Sequence, residues 1–300
     1  MTTARLDAPA ARSAEVRSIT LDADGVTLSA LLALPAHRPP RATIVALHGA
    51  GMSAAYFDGP AHPETSFLAI AASLGFAAVA LDRPGYGHST RQLPQGQGVV
   101  EQAATLTASL RCLTARFETG AGILLLAHSF GSKPALRIAA DGALPELLGL
   151  DLSGCGDEYA VPPTEQVTRA ARQRLNWGPL RLYPPGTFQT GGAAALAPTP
   201  PRESADVARW PEMFADLAGR IRIPVRFTFA EYERWWSHDR RALARLRSRL
   251  HEAPRVLIDH QHDAGHNISL GWTARAYHLR VLGFAEECLW RRGTGKEHRP

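Results

Sequence analysis

Cysteine is scarce in this 300-residue sequence, which has three, at Cys112, Cys155 and Cys288. They are too few for a disulfide framework, and they lack the close pairing of metal ligands. Free thiols fit a reducing compartment. No run of residues is apolar for long enough to cross a bilayer, and residues 1–14 lack the apolar segment of a signal peptide. We therefore expect a cytoplasmic protein with no membrane partner.

The sequence also lacks a concentrated block of positive charge. Its formal net charge is +5, and its arginines are spread along the chain without interleaved aromatic residues. This distribution is typical of solvated helix faces and argues against nucleic acid as a partner. With 45% hydrophobic and 20% charged residues, the composition is that of an ordinary globular protein. The expected partner is therefore a small molecule.

The first half of the chain predicts a β-hairpin followed by alternating strands and helices. The hairpin covers residues 16–34 and turns at Asp24-Gly25. After it, short apolar runs alternate with segments of helical spacing, which is typical of a parallel sheet covered by helices. The predicted strands are residues 43–47, 76–81, 123–127 and 147–152, and the predicted helices are residues 66–74, 99–117 and 134–140.

This alternation stops over residues 154–220, which are rich in proline, glycine and alanine. We predict that they form a cap insertion over the sheet and not a second folding unit. The core then consists of residues 16–153 and 221–290. We expect residues 1–15 to be a disordered N-terminus and residues 291–300 a disordered basic tail. The second core segment predicts strands at residues 224–229 and 255–258 and helices at 240–250 and 273–289.

The strongest chemical signal is the segment Ala127-His128-Ser129-Phe130-Gly131. It joins a predicted buried strand to a predicted helix, and a serine on such a sharp turn presents its hydroxyl at the carboxyl edge of the sheet. Small flanking residues are needed because neighbouring backbone passes close to the turn. The alternative is an ordinary serine that caps a helix. We predict that Ser129 is a nucleophile.

A second signal, His48-Gly49-Ala50-Gly51, follows the predicted strand at residues 43–47. Acyl transfer develops negative charge on the carbonyl oxygen, and preformed backbone N–H groups stabilise that charge. A glycine-rich turn allows the backbone to approach this oxygen closely. We predict that one donor is the N–H of Phe130 and that the other is that of Ala50, with Gly51 as the alternative.

A third signal is the segment Asp263-Ala264-Gly265-His266, placed in a loop after the last predicted strand. A histidine at the carboxyl edge of the sheet can serve as general base for a serine. The competing interpretation is a metal site, because His260 and His262 lie close by in sequence. No H-E-x-x-H pattern or cysteine pair supports it. We favour His266 as the base and expect neither a metal nor another cofactor.

These motifs, together with Asp82-Arg83-Pro84-Gly85-Tyr86-Gly87-His88-Ser89 after another predicted strand, resemble the α/β-hydrolase superfamily. The resemblance covers nearly the whole chain, from about Val16 to Leu289. It implies an α/β fold with a doubly wound, mostly parallel sheet and a variable cap. It also implies a catalytic triad in the order serine, acid, histidine. We expect the Asp82–Ser89 segment to shape the edge of the sheet and not to carry the reaction.

The acid of this implied triad has three candidates in the sequence. In the family it commonly follows the strand after the cap, in a turn that resembles Gly-x-x-Asp. Placing Ala230 on the family's glycine puts Glu233 on the acid, with Glu231 as a neighbour. In an extended chain both glutamates face the same side, so alternation alone does not separate them. Asp157 is the third candidate, because some family members carry the acid after the preceding strand.

The predicted cap supplies candidates for substrate contacts. Trp177, Tyr183 and Trp210 are aromatic and suit an apolar acyl pocket, or they form the core of the cap itself. The resemblance favours a serine hydrolase that cleaves an ester or thioester through an acyl-enzyme. The alternatives are an amide hydrolase, a non-hydrolytic or binding member of the same fold, and a metal-dependent hydrolase. The arginines at 169, 172, 174 and 181 either contact an anionic group of the substrate or are solvated.

Overall fold

A computed structural model of the protein describes residues 15–163 and 167–297. Within them the chain forms an open, eight-stranded sheet with the order β1-β2-β4-β3-β5-β6-β7-β8. The hairpin β1–β2 is antiparallel and adds antiparallel to β4, whereas the remaining pairs are parallel. The predicted α/β fold with a mostly parallel sheet is confirmed. The strands are β1 (Val16–Ala23), β2 (Val26–Ala33), β3 (Thr43–Leu47), β4 (Ala77–Leu81), β5 (Ile123–His128), β6 (Leu147–Ser153), β7 (Val225–Tyr232) and β8 (Val256–Gly265).

Helices cover both faces of this sheet, because its central strands are apolar on both sides. All residues of β3, β4 and β5 are buried, and their side chains divide between two core clusters, one on each face. None of the described helices is long and apolar enough to cross a membrane. The helices are α1 (Phe67–Ser73), α2 (Val99–Arg116), α3 (Ser132–Asp141), α4 (Arg169–Trp177), α5 (Thr190–Ala193), α6 (Pro201–Val207), α7 (Trp210–Ala218), α8 (Arg240–Arg249) and α9 (Ala274–Glu297).

The strand order brings the predicted catalytic segments to one edge of the sheet. Strand β3 pairs in parallel with β5, so that Leu47 lies opposite Ala127, and their following loops are neighbours. Strand β7 pairs in parallel with β8, so that the chain after Tyr232 meets the chain after Gly265. The carboxyl ends of parallel strands in such a sheet form the crevice where ligands bind.

Strands β7 and β8 are longer than the sequence predicted. The prediction ended them at residues 229 and 258, but a bulge between Ala230 and Tyr232 lets the ladder continue to the pair Tyr232–Gly265. The predicted loop placement of residues 263–265 is therefore wrong, and His266 is the first residue after the strand. The apolar pattern hid this extension because β8 is an edge strand and exposes polar side chains such as His260 and His262.

Helices also occur in the predicted insertion and at the start of the predicted tail. The last helix within residues 154–220 is α7, which packs against α3 and contributes Phe214 and Leu217 to the core cluster on that face. Residues 291–297, expected to be disordered, continue α9. The preceding part of this helix is anchored to the core by Val281 and Ala285. The rest of the predicted tail, 298–300, and residues 1–14 lie outside the described residues.

Candidate active site

Ser129 lies on a strained turn between β5 and α3. Its φ of 50° places it in the left-handed region, which is uncommon for a residue other than glycine. The turn is also crowded: a Cβ atom at Gly131 would lie 2.6 Å from the carbonyl oxygens of Leu47 and His48. A Cβ atom at Gly49 would lie 3.0 Å from Cβ of Ser129. Glycines on both sides therefore let the loops after β3 and β5 approach each other and hold the serine at the sheet edge.

His266 bridges Ser129 and Glu233. Its Nε2 atom lies 3.0 Å from Oγ of Ser129, and its Nδ1 atom lies 2.7 Å from Oε2 of Glu233. An ionised carboxylate accepts hydrogen bonds only, so Nδ1 carries the proton and Nε2 accepts the hydrogen bond that the serine hydroxyl donates. Both the imidazole and the carboxylate are buried. This arrangement gives the imidazole the tautomer and orientation that a general base for Ser129 requires.

Glu233 is held as a carboxylate by its surroundings. Its Oε1 atom accepts hydrogen bonds from the backbone N–H groups of Arg234 at 3.0 Å and Trp235 at 2.9 Å. Burial alone would raise the pKa of Glu233, but His266 and the backbone donors outweigh it and hold this pKa below its ordinary value. A charged acceptor therefore stays beside Nδ1 of His266.

The other two candidate acids are bound elsewhere. Asp157 is buried, and its Oδ2 atom accepts a hydrogen bond from Nε of Arg245 at 2.8 Å. Glu231 is exposed on β7, where its Oε2 atom accepts from the backbone N–H of Asp263 at 2.8 Å. The strand ends at Tyr232 and the chain turns, with the N–H of Glu233 donating to the carbonyl of Ala230 at 3.0 Å. This turn separates the two glutamates that simple alternation places on one face.

His128, the residue before the serine, packs behind the imidazole of His266. The two ring centroids are 4.9 Å apart, and His128 also stacks on Tyr56 with a centroid distance of 4.8 Å. Burial, followed by the proximity of His266, lowers the pKa of His128 well below its usual range. A neutral ring therefore supports His266 from behind. Sequence reasoning gave His128 no role, because only the tertiary structure shows this stack.

The backbone amides of the loop after β3 and of the turn after Ser129 lie close to the candidate nucleophile. The N–H of Gly51 donates to the hydroxyl of Tyr86 at 3.2 Å and is engaged. Among the described residues no acceptor pairs with the N–H of Ala50, and Phe130 lies in the short turn that joins Ser129 to α3. Both residues line the cavity that contains Ser129. Of the two alternatives in the loop after β3, the geometry therefore favours Ala50 as the second donor.

A buried arginine braces this loop against the insertion. The backbone N–H of Arg83 donates to Nε2 of His48 at 3.1 Å, and its Nε donates to the carbonyl of His48 at 2.6 Å. Its guanidinium forms an ion pair with Glu203 of α6, in which both side chains are fully buried. Glu203 also accepts a hydrogen bond from the hydroxyl of Tyr86 at 2.9 Å. The segment predicted to shape the sheet edge thus joins the loop after β3 to α6.

A cavity of about 500 Å³ opens over Ser129 and His266. Trp177, Tyr183 and Trp210, named from the sequence either as substrate contacts or as the core of the cap, are not among the residues that line it. Trp210 is fully buried against α3 and donates its Nε1–H to the carbonyl of Gly156 at 2.9 Å. Trp177 and Tyr183 pack edge to face, 5.2 Å apart, in an aromatic cluster of the insertion. The apolar wall comes instead from Met52, Tyr159, Trp235 and Trp236.

The sequence could not identify this wall, because Trp235 and Trp236 follow β7 immediately and resemble an extension of the strand. Their position becomes visible only once the chain turns at Glu233. The histidines considered as metal ligands do not converge either. The side chain of His262 is 82% exposed, and no group of three potential ligands in the described part of the chain could hold a metal ion.

Comparisons with known proteins agree with this architecture. The model of the alpha/beta hydrolase family matches residues 44–282. No curated protein matches the sequence. Among solved structures, a thermostable carboxyl esterase from Bacillus coagulans has a TM-score of 0.64 at 14% identity, covering 93% of this chain and 100% of its own.

Two further solved structures illustrate how varied the similar proteins are. The thioesterase domain from the curacin biosynthetic pathway has a TM-score of 0.60 at 14% identity, covering 89% of this chain and 99% of its own. A mutant of an N-acyl homoserine lactonase, complexed with N-hexanoyl homoserine, has a TM-score of 0.65 at 15% identity, covering 91% and 98%. At such identities the likeness shows the fold alone.

Proposed function

Because this chain belongs to the alpha/beta hydrolase family, we propose that it is a serine hydrolase that cleaves an ester or thioester through an acyl-enzyme. The observation that carries this proposal is the hydrogen-bonded chain from Ser129 through His266 to Glu233, which faces a cavity that Ala50 and Phe130 also line. Nucleophile, base and orienting acid lie within hydrogen-bonding distance of one another, as nucleophilic catalysis requires.

In the first half of the reaction, Oγ of Ser129 attacks the carbonyl carbon of the substrate while its proton moves to Nε2 of His266. Glu233 stabilises the imidazolium that forms, because its carboxylate accepts the Nδ1–H hydrogen bond. The imidazolium then gives its proton to the departing alkoxide or thiolate, and the acyl group remains on Ser129. Water enters, loses a proton to His266 and releases the acid in the same manner.

The backbone N–H groups of Ala50 and Phe130 stabilise the oxyanion in both halves. They are held in place by the β3 loop and by the start of α3, so no reorganisation is needed when charge develops. Removal of one such donor in other enzymes reduces the turnover rate by roughly a hundred- to a thousand-fold. The strained conformation of Ser129 serves the same end, since it fixes the hydroxyl relative to these donors.

The proposal is tested by labelling the purified protein with a fluorophosphonate probe, which reacts only with an activated serine. We expect labelling of the wild type and none of the Ser129→Ala variant, with mass spectrometry placing the adduct on Ser129. A panel of p-nitrophenyl esters and acyl thioesters of graded chain length then distinguishes the two substrate classes. Absence of labelling together with absence of turnover across the panel would refute the proposed function.

A further inference from the structure

Lys133 is a buried cation in the wall of the candidate active site. It lies on the first turn of α3, four residues after Ser129, and only 2% of its surface is exposed. It nevertheless lines the same cavity as Ser129 and His266. Sequence analysis did not single it out, since a lysine at the start of a helix carries no pattern of its own.

The protein leaves this ammonium group incompletely paired. Its Nζ donates a hydrogen bond to the hydroxyl of Tyr159 at 3.0 Å, and that hydroxyl donates onward to the carbonyl of Val207 at 2.9 Å. No carboxylate of the described residues forms an ion pair with Lys133. Because an ammonium has three N–H donors and the protein accepts from one, two remain for a group in the cavity.

Aromatic rings surround the ammonium group of Lys133 and favour its charged form without pairing it. Nζ lies over three aromatic rings, at 4.9 Å from the centroid of Phe130, 5.7 Å from Tyr159 and 5.4 Å from Trp210. Such contacts favour the cation but supply no acceptor for its N–H groups. Burial lowers the pKa of Lys133 to about 8, so the group is mostly protonated at neutral pH.

The carboxylate of Glu203 is not available as a counter-ion for Lys133. Glu203 lines the cavity, but its carboxylate already accepts hydrogen bonds from the side chains of Arg83, Gln102 and Tyr86. An unpaired buried charge is costly, whereas a charge paired in a dry pocket interacts strongly with its partner. A negatively charged ligand can therefore supply the counter-charge that the protein does not provide to Lys133.

We propose that Lys133 binds a carboxylate of the substrate, so that the natural substrate is an ester or thioester that carries a second, anionic group. This inference rests on the proposed function, and it adds a substrate class to it. The carboxylate would accept the two remaining N–H donors of Lys133 while the rings of Phe130 and Trp210 exclude water. It can belong to the acyl part or to the leaving group, and these two sources are separated by experiment.

The test compares matched anionic and neutral esters. For the acyl part, the pair is mono-p-nitrophenyl adipate and its methyl ester; for the leaving group, it is p-hexanoyloxybenzoate and its methyl ester. We expect the wild type to prefer the anionic member of one pair by roughly ten- to a hundred-fold in kcat/KM, chiefly through KM, since a charge-assisted hydrogen bond is worth about 1.5–3 kcal/mol. In the Lys133→Met and Lys133→Gln variants this preference should disappear, so that kcat/KM for the anionic member falls to that for the neutral member.

The matched control is Arg137→Met. It removes one positive charge from the same helix α3, but Arg137 pairs with Asp141 at the surface and lies away from the cavity. The preference should survive in this control, because long-range charge alone does not create it. Equal kcat/KM for both members of both pairs in the wild type, or a preference that both lysine variants keep, would overturn the proposal.

A binding measurement separates this inference from the proposed function. In the Ser129→Ala background, calorimetry with monomethyl adipate and dimethyl adipate reports recognition of the carboxylate without catalysis. We expect the monoanion to bind at least about tenfold more tightly, and Lys133→Met to abolish the difference. Fluorophosphonate labelling without selective binding would leave the serine hydrolase intact and refute the subsite. Selective binding of the monoanion by a protein that neither reacts with the probe nor turns over any ester of the panel would support the subsite and refute the serine hydrolase.

Discussion

Two polar clusters border the cavity, and they differ in how completely the protein satisfies them. In the first, formed by Ser129, His266 and Glu233, the imidazole and the carboxylate find protein partners that hold one geometry. In the second, formed by Lys133 and Tyr159, the ammonium keeps unused donors. Under the two proposals, the first cluster is ready to react before a substrate arrives, whereas the second is completed only by a ligand. The comparison therefore contrasts proposed reacting groups that the protein holds in one geometry with a proposed recognition group that keeps free donors.

Removing the nucleophile is the largest test of the first cluster. Ser129→Ala should reduce turnover on the order of a million-fold with the fold retained, because the base and acid have nothing to activate. Steady-state kinetics and circular dichroism check both parts of this expectation. Near wild-type rates in the variant would mean that this cluster is not the reacting one.

Neutralising the acid should have the next largest effect. Glu233→Gln keeps the size of the side chain but can no longer stabilise the imidazolium or fix its tautomer, so kcat should fall by roughly ten-thousand-fold. Asp157→Asn and Glu231→Gln are matched controls, since these carboxylates bind Arg245 and the backbone of Asp263 instead. If either control lost more activity than Glu233→Gln, the acid would have to be reassigned.

The buried ion pair of Arg83 and Glu203 offers a comparison with Lys133, because Arg83 is a buried cation that has its counter-charge. Glu203→Gln leaves the guanidinium without its counter-charge, and we expect the free energy of unfolding to fall by about 3–5 kcal/mol. Denaturant unfolding measures this loss. Glu101→Gln is the control, because Glu101 and Arg202 form a half-exposed pair that should contribute less than about 1 kcal/mol. Similar losses for both variants would remove the distinction between buried and exposed pairs here.

Lys133→Met should have the smallest effect of these variants, and it should raise the free energy of unfolding where Glu203→Gln lowers it. Replacing an unpaired buried ammonium by an apolar side chain of similar length should raise the free energy of unfolding by about 1–2 kcal/mol at pH 7. A less stable variant would show that the ammonium is already satisfied without a ligand, and the contrast between the two clusters would fail.

The pH dependence of this gain has a defined direction. Burial lowers the pKa of Lys133 from 10.5 to about 8, so between these values the unfolded chain binds more protons than the folded one. The stability of the wild type relative to Lys133→Met therefore rises from pH 8 to pH 10.5. The stability advantage of the variant over the wild type fades over the same range. Unfolding curves at pH 7, 9 and 10.5 would show it. The groups that influence this titration are Tyr159, Cys155, Glu203, Asp206 and Arg83.

The difference between the clusters also explains what the sequence could predict. Ser129 and the loop at Gly49 are recognisable because their backbone conformations require small neighbours at fixed spacing, which leaves a local pattern. The order of strands follows from alternation of apolar runs and helical segments. His266 was found as a motif, although its strand extends further than its polar residues suggested.

The walls of the cavity left no such pattern. Trp177, Tyr183 and Trp210 were chosen as large aromatic residues in the insertion, but such residues also build the insertion's own core. Lys133 and Trp235 were missed because their exposure to the cavity depends on how α3 and the turn at Glu233 pack against distant segments. The separation of Glu231 from Glu233 depends likewise on a bulge that alternation does not encode.

The buried ion pair between Arg83 and Glu203 limits how the site can open. If α6 moved away from the sheet, the fully buried guanidinium of Arg83 would lose the counter-charge of Glu203, at a cost of several kcal/mol. The α6 side is therefore a fixed wall and not a moving gate. Helix α4, in which no described side chain is buried, contributes Arg172 and Asn176 to the lining of the same cavity.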